Sequence, residues 1–253
     1  MRTNTPNLEG SMLRMGSIAF FVGIVIFMVS TVLHPSREDP TNHALVFAEY
    51  AEDDLWVASH IGQFVGGMFI FAGGFVALFR LLSRSESGTT VASALAWLGL
   101  AVTIATASAL TILQAVDGIT LKIAVDTWYA IPSSASTTVG SEEGQKAIAF
   151  RVAEGIRWTE IGVNSYFRIL QGAIGVIFGV AISASAVLSR WIGVVGIFAG
   201  IATIVLGVNV AYVGFGTVGS IEDTVSTWTY IAWLVILGIF MWRKTMAKKI
   251  ISR

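Results

Sequence analysis

The chain has 253 residues, of which 55% are hydrophobic and 13% charged, with a mean hydropathy of +0.75 and a formal net charge of zero. Soluble domains carry about 25% charged residues, so this composition excludes a soluble domain. Zero net charge leaves nucleic-acid binding without an electrostatic basis. The lack of cysteine excludes disulfides, thiolate metal sites and iron–sulfur clusters.

Six apolar stretches follow one another along the chain, and each is long enough to cross a bilayer. About 20 helical residues, rising 1.5 Å each, cover a hydrocarbon core of ~30 Å. The sequence therefore predicts an all-α fold, an integral membrane six-helix bundle that forms a single polytopic domain over residues 1–253. The predicted spans are residues 15–33, 55–79, 91–113, 169–188, 191–212 and 225–242.

Basic residues gather at one set of span ends, and most acidic loop residues lie at the other set. The basic residues include Arg14, Arg80, Arg84, Arg190 and Arg243. The positive-inside rule then predicts that the N- and C-termini are cytoplasmic. We expect a prokaryotic plasma membrane, but the charge rule alone gives only the orientation.

Spans three and four continue as helix-compatible sequence beyond the predicted membrane edge. We expect an extracytoplasmic helical hairpin over residues 114–168, covered by a loop at residues 35–54 that contains a short amphipathic helix. Asp117 and Gly118 indicate a kink in the first arm. That arm is apolar on nearly all sides, which is typical of buried helices. The hairpin is therefore predicted to bind a partner membrane protein or a second copy of the chain.

Polar side chains converge at one depth when residues are counted outward from the inner ends of the spans, which are marked by arginines and, in span three, by Ser93. This ruler places His34, His60, Gln114 and Arg168 at the outer membrane edge. A polar stripe on the fourth helix leads to that level, and Arg157 can pair with Glu154 or Glu160. The stripe is either a solvated, salt-bridged face or the wall of an outward pocket. The candidate pocket residues are His34, His60, Gln114, Asp117, Glu154, Arg157, Glu160, Asn164 and Arg168.

His34 and His60 have matching depths on adjacent spans. This arrangement suits the two axial ligands of a haem, or a metal site completed by His43 or a carboxylate. The alternative is that both are hydrogen-bonding residues at the membrane interface.

These patterns favour a non-enzymatic membrane protein that assembles with a partner or binds a ligand through its outer lobe and polar pocket; they identify no catalytic residue. One alternative is a small-solute transporter or channel. Its water path would have to use small hydroxyl residues, which also serve helix packing. These are Thr103, Thr106, Ser108, Ser183, Ser185 and Thr203. The other alternative is a haem- or metal-binding membrane redox protein centred on His34 and His60.

Overall fold

The structure is a computed structural model that describes residues 8–34, 39, 42–83, 90–132, 142–215 and 220–251. Parts of the predicted outer lobe, at residues 35–38, 40–41 and 133–141, lie outside the described residues. The helices are α1 (Leu8–Val32), α2 (His43–Glu52), α3 (Trp56–Met68), α4 (Val76–Ser83), α5 (Thr90–Ala115), α6 (Lys122–Ala130), α7 (Glu142–Ser183), α8 (Arg190–Val213) and α9 (Ile221–Ile251). Two π-helical segments, π1 (Phe69–Phe75) and π2 (Val116–Leu121), join α3 to α4 and α5 to α6.

Among the described residues, six helices are long and apolar enough to cross a membrane, which confirms the predicted all-helical fold with six helices of spanning length. They are Leu8–Val32, Trp56–Ser83, Val91–Ala130, Gly144–Ser183, Arg190–Val213 and Ile221–Met246. The helix α7 stops at Ser183, so residue 188, the predicted end of the fourth span, lies in the turn to α8. The Ser185 hydroxyl stabilises this turn, since it donates to the Ile182 carbonyl at 3.0 Å and lies 3.4 Å from the Val187 amide nitrogen.

The six long helices close into a ring in chain order. α1 packs against α3 and α4, α5 against α4 and α7, α8 against α7 and α9, and α9 returns to α1. Aromatic side chains fill the middle of the bundle, with Phe20, Phe75, Phe178 and Trp233 fully buried. The Phe75 ring centroid lies 5.5 Å from that of Phe178 and 5.8 Å from that of Trp233.

Glycines allow the backbones of α7 and α8 to touch. A Cβ added at Gly200 would lie 2.5 Å from the Gly172 carbonyl oxygen, and one at Gly179 would lie 2.6 Å from the Gly193 carbonyl oxygen. Lipid tails are as apolar as leucine, so helices in a membrane associate mainly through close packing rather than through the hydrophobic effect. The seam between α7 and α8 is therefore a main source of the bundle's stability.

A second, smaller core lies beside the bundle. We call it the lobe and define it as α2, π2, α6 and residues 142–168 of α7. The segment in which an amphipathic helix was predicted contains α2, which packs on α6. The buried apolar residues of this core are Val46, Phe47, Tyr50, Trp56, Leu121, Val125 and Ala153. The Lys122 ammonium fastens α2 to α6, because it donates to the carbonyl oxygens of Tyr50 and Ala51 at 3.0 and 3.1 Å.

Replacing Gly200 by alanine should lower the melting temperature of the protein in mild detergent, because the added methyl group meets backbone atoms that cannot rotate away. The matched control is Gly155→Ala on α7, where a Cβ would meet nothing within 4 Å. Alanine favours a helix over glycine by up to about 1 kcal/mol, so the control should melt at the same temperature or higher. Equal melting temperatures for the two variants would contradict the role given to the seam.

Candidate functional site

A buried histidine–carboxylate pair lies where α3 meets π2. His60 Nδ1 is 2.7 Å from the Trp56 carbonyl oxygen, and His60 Nε2 is 2.9 Å from Asp117 Oδ2. A carbonyl oxygen can only accept a hydrogen bond, so the Nδ1–H donates to Trp56 and Nε2 is the atom presented to the carboxylate. His60 and Asp117 are 1% and 8% exposed, so this contact is shielded from water.

The π2 segment brings Asp117 to this position. A π-helical segment between α5 and α6 contains Asp117 and Gly118, where a kink was predicted, and π-bulges are frequent at functional sites. A Cβ at Gly118 would lie 2.5 Å from the Cβ of His60, so a larger residue would force π2 away from α3. Gly118 therefore sets how closely the Asp117 backbone approaches His60.

His34 completes a set of three possible ligands. It follows the end of α1, and its ring centroid lies 4.8 Å from that of His60. One ligand atom from each of His34, His60 and Asp117 lies within 4.8 Å of the other two. Zinc–nitrogen bonds of about 2.0–2.1 Å put neighbouring donors around one ion roughly 3.4 Å apart. The widest separation in the set would therefore have to close by about 1.4 Å for the three atoms to share one such ion.

Trp56 bonds to both His60 and Asp117, a role that the sequence did not predict. Its carbonyl accepts from His60, and its indole Nε1–H donates to the Asp117 carbonyl oxygen at 3.1 Å. The indole ring centroid lies 4.9 Å from that of His34 and 4.6 Å from that of His60. The only sequence signal for this role was the spacing of Trp56 and His60, which are one helical turn apart.

A cavity of about 510 Å³ opens beside the donor set. Its lining consists of Leu33, His34, Leu45, Ala48, Glu49, Glu52 and Asp53. His34 belongs both to this lining and to the donor set. Glu52 accepts a hydrogen bond from the Tyr129 hydroxyl at 2.9 Å, and Asp53 Oδ1 accepts one from the Leu55 amide at 2.8 Å. These three carboxylates were not among the candidate residues, because their positions relative to His34 depend on the packing of α2.

The middle of the polar stripe is buried rather than solvated. Arg157 Nη1 lies 2.8 Å from Glu160 Oε2, and the two side chains are 1% and 2% exposed. The Arg157 guanidinium is 5.3 Å from the Tyr50 ring centroid and 4.8 Å from that of Phe215. The solvated-face interpretation is therefore wrong for this pair, which anchors α7 against the lobe core.

The other candidates lie outside the three-residue donor set. Glu154 Oε2 lies 2.6 Å from Arg151 Nη1, and Glu154 Oε1 lies 3.4 Å from His43 Nδ1. Both contacts are within the lobe, so neither Glu154 nor His43 belongs to the donor set. Arg168 Nε donates to Asn164 Oδ1 at 2.8 Å, and Arg168 Nη1 is 3.8 Å from Asp223.

Gln114 lies on α5, just before π2, and is 8% exposed. Its Nε2 donates to Gln63 Oε1 at 3.2 Å, which ties α5 to α3. Gln114 therefore lies near the donor set without belonging to it.

Comparisons with protein-family models, curated proteins and solved structures find no match to this chain. The arrangement of its own residues therefore carries the functional argument.

Replacing Arg157 by methionine should destabilise the protein by about 3–5 kcal/mol, because it leaves the Glu160 carboxylate buried without its ion-pair partner. The double variant Arg157→Met with Glu160→Leu should recover most of this loss. Unfolding in detergent by a chemical denaturant measures both changes. The control is Arg151→Met, which breaks a pair whose arginine is 75% exposed and should cost about 0–1 kcal/mol. If the double variant lost as much free energy of unfolding as the two single variants together, the energetic coupling between Arg157 and Glu160 would be contradicted.

Proposed function

We propose that this protein is an integral membrane protein that binds one divalent transition-metal ion through His34, His60 and Asp117. The observation that carries the proposal is the convergence of two imidazoles and one carboxylate from three separate segments within 4.8 Å. Imidazole nitrogens suit zinc, copper, iron and nickel, and a carboxylate adds a charge that compensates the cation.

The surroundings of the donors support metal binding. Metal-ligating histidines usually donate their second ring N–H to a carbonyl or carboxylate, which fixes the orientation of the ring. His60 does this through the Trp56 carbonyl. Asp117 Oδ1 is buried and has no hydrogen-bond partner among the described residues. A bound cation would compensate this desolvated oxygen.

Three protein ligands favour an ion that reacts or exchanges. Structural zinc sites are closed by four protein ligands, whereas catalytic sites keep one position for water or substrate. The adjacent cavity gives His34 a route to solvent. We therefore propose a site with an open coordination position, suited to capturing an ion or to activating a bound molecule.

The site's position in the membrane is part of the proposal. The third and fourth spans each run for 40 residues, about 60 Å at 1.5 Å per residue and about twice the hydrocarbon thickness. We propose that their lobe ends project on the extracytoplasmic side and that both termini are cytoplasmic, as the positions of the arginines favour. The donor set then lies at the outer membrane edge.

The alternatives receive less support from the geometry. A bis-histidine haem needs a porphyrin plane between its ligands, but ring centroids only 4.8 Å apart leave no such slot between His34 and His60. A transport path would have to cross the aromatic core. Hydroxyl groups proposed for that path instead donate to carbonyls of their own helices, as Thr103 does to Gly99 and Thr203 does to Ala199.

The purified full-length protein should bind one Zn²⁺ per chain in equilibrium dialysis, as measured by metal analysis. His60→Ala and Asp117→Asn should each weaken binding by at least about 100-fold, because changes to outer-shell partners alone cost about 10–100-fold. Circular dichroism and size-exclusion chromatography confirm that each variant keeps its helices.

The matched control is His43→Ala. It removes an imidazole that packs between Phe47 and Trp158 in the lobe, away from the donor set. This variant should bind Zn²⁺ as the unmodified protein does. Unchanged Zn²⁺ binding by both His60→Ala and Asp117→Asn would refute the site.

A second candidate function is assembly through the lobe. Ile148 and Val152 on α7 are 63% and 53% exposed and line an apolar depression with Ala147 and Arg151. Ile123 on α6 is 61% exposed. If this part of α7 stands in water, such residues favour contact with another protein surface. We propose that the lobe pairs with a second copy of the chain.

Native mass spectrometry from mild detergent should show a dimer for the unmodified protein. Ile148→Glu combined with Val152→Glu should give a monomer, because two carboxylates would be buried without partners in the interface. The control is Ala44→Glu, at an exposed lobe position on α2 rather than on the α7 face of Ile148 and Val152. A monomeric unmodified protein would refute this second function.

A further inference from the structure

We propose that the cavity beside His34 is the entrance through which a hydrated divalent cation reaches the donor set, drawn there by Glu49, Glu52 and Asp53. This inference rests on the metal site proposed above and adds how that site is filled. It assigns a role to three carboxylates that are not themselves members of the donor set.

The order of burial gives the direction of approach. His34 is partly exposed and lines the cavity, whereas His60 and Asp117 are buried. An ion that enters from the cavity therefore meets His34 first. It then reaches His60 Nε2 and Asp117 Oδ2, which lie 2.9 Å apart. His34 is the residue that connects the cavity to the buried donors.

The cavity has room for an ion that still carries its water shell. A water molecule occupies about 30 Å³ in the liquid, so six waters around an ion need roughly 200 Å³. The cavity volume of about 510 Å³ exceeds this requirement. The ion does not have to lose its waters before entry, and they can be exchanged for imidazole at His34.

The charge of the lining favours a cation. The described lining residues contribute three carboxylates and neither lysine nor arginine. The nearby Lys122 ammonium is engaged by the Tyr50 and Ala51 carbonyls and by Asp126 at 2.8 Å. Clefts lined by one sign of charge raise the local concentration of the opposite ion and speed association by about 10–10³-fold.

Hydrogen bonds hold two of the carboxylates at the cavity. Tyr129 donates to Glu52, and the Leu55 amide donates to Asp53 Oδ1. Glu49 lies one helical turn before Asp53. The three charges therefore come from the end of α2 and the residue that follows it, a short segment that faces His34 because α2 packs on α6.

The experiment is stopped-flow binding of Ni²⁺ to the full-length protein in mild detergent at low ionic strength. Partial quenching of the total tryptophan fluorescence is the expected signal, because the Trp56 ring centroid lies 4.9 Å from that of His34 and 4.6 Å from that of His60. The triple variant Glu49→Gln, Glu52→Gln, Asp53→Asn should lower the association rate constant at least about tenfold. The dissociation rate constant should change much less, and saturating Ni²⁺ should still give one ion per chain.

The control variant removes three exposed carboxylates outside the cavity lining, Glu9→Gln, Asp54→Asn and Glu222→Gln. It changes the net charge by the same amount, and none of its residues lines the cavity. Its association rate constant should stay within about threefold of that of the unmodified protein. Added salt should slow the unmodified protein and leave the cavity variant nearly unchanged, because the steering charges are then screened.

Equal association rates for the cavity variant and the unmodified protein would overturn this inference while leaving the metal site intact. Equal slowing by the control variant would also overturn it, because net charge would then explain the effect. If the correctly folded unmodified protein binds neither Ni²⁺ nor Zn²⁺, the proposed function fails and this inference fails with it.

Discussion

The approach of π2 to α3 is the constraint on which the candidate site depends. Gly118 has no side chain, so the Asp117 backbone comes close enough to accept a hydrogen bond from the Trp56 indole. The same approach brings the Asp117 carboxylate to His60 Nε2. The geometry of the donor set and the proposed ion entry both require these two segments to stay together.

Trp56 also joins the site to the lobe. Its ring centroid lies 4.0 Å from that of Tyr50, and Tyr50 in turn lies under the Arg157 guanidinium. The buried Arg157–Glu160 pair is therefore connected to the donor set by a chain of contacts through the Tyr50 and Trp56 rings. This continuity explains why the lobe and the site belong to one packed unit: α2 supplies both the cavity charges and Tyr50, and α7 holds α2 in place.

Counting along helices placed several polar residues at one level but did not reveal their partners. A rise of 1.5 Å per residue was enough to group His34 with His60. It also grouped Arg168 and Gln114, which bind Asn164 and Gln63 instead. Counting gives only the depth of a residue in the membrane. Whether two residues at one depth touch also depends on how each helix is rotated about its axis and on which helix it faces. Those depend on packing at glycines such as Gly118 and Gly200.

The sequence by itself determined that this is an all-helical membrane protein with six spans, because span length and hydropathy are set by the bilayer and need no knowledge of neighbours. Local pattern also located a helix within residues 41–54. Only the tertiary structure decided that Asp117 faces His60, that Arg157 is buried with Glu160, and that three carboxylates line a cavity at His34. These contacts join residues far apart in the chain, and their formation depends on how closely helix surfaces fit, which no local pattern specifies.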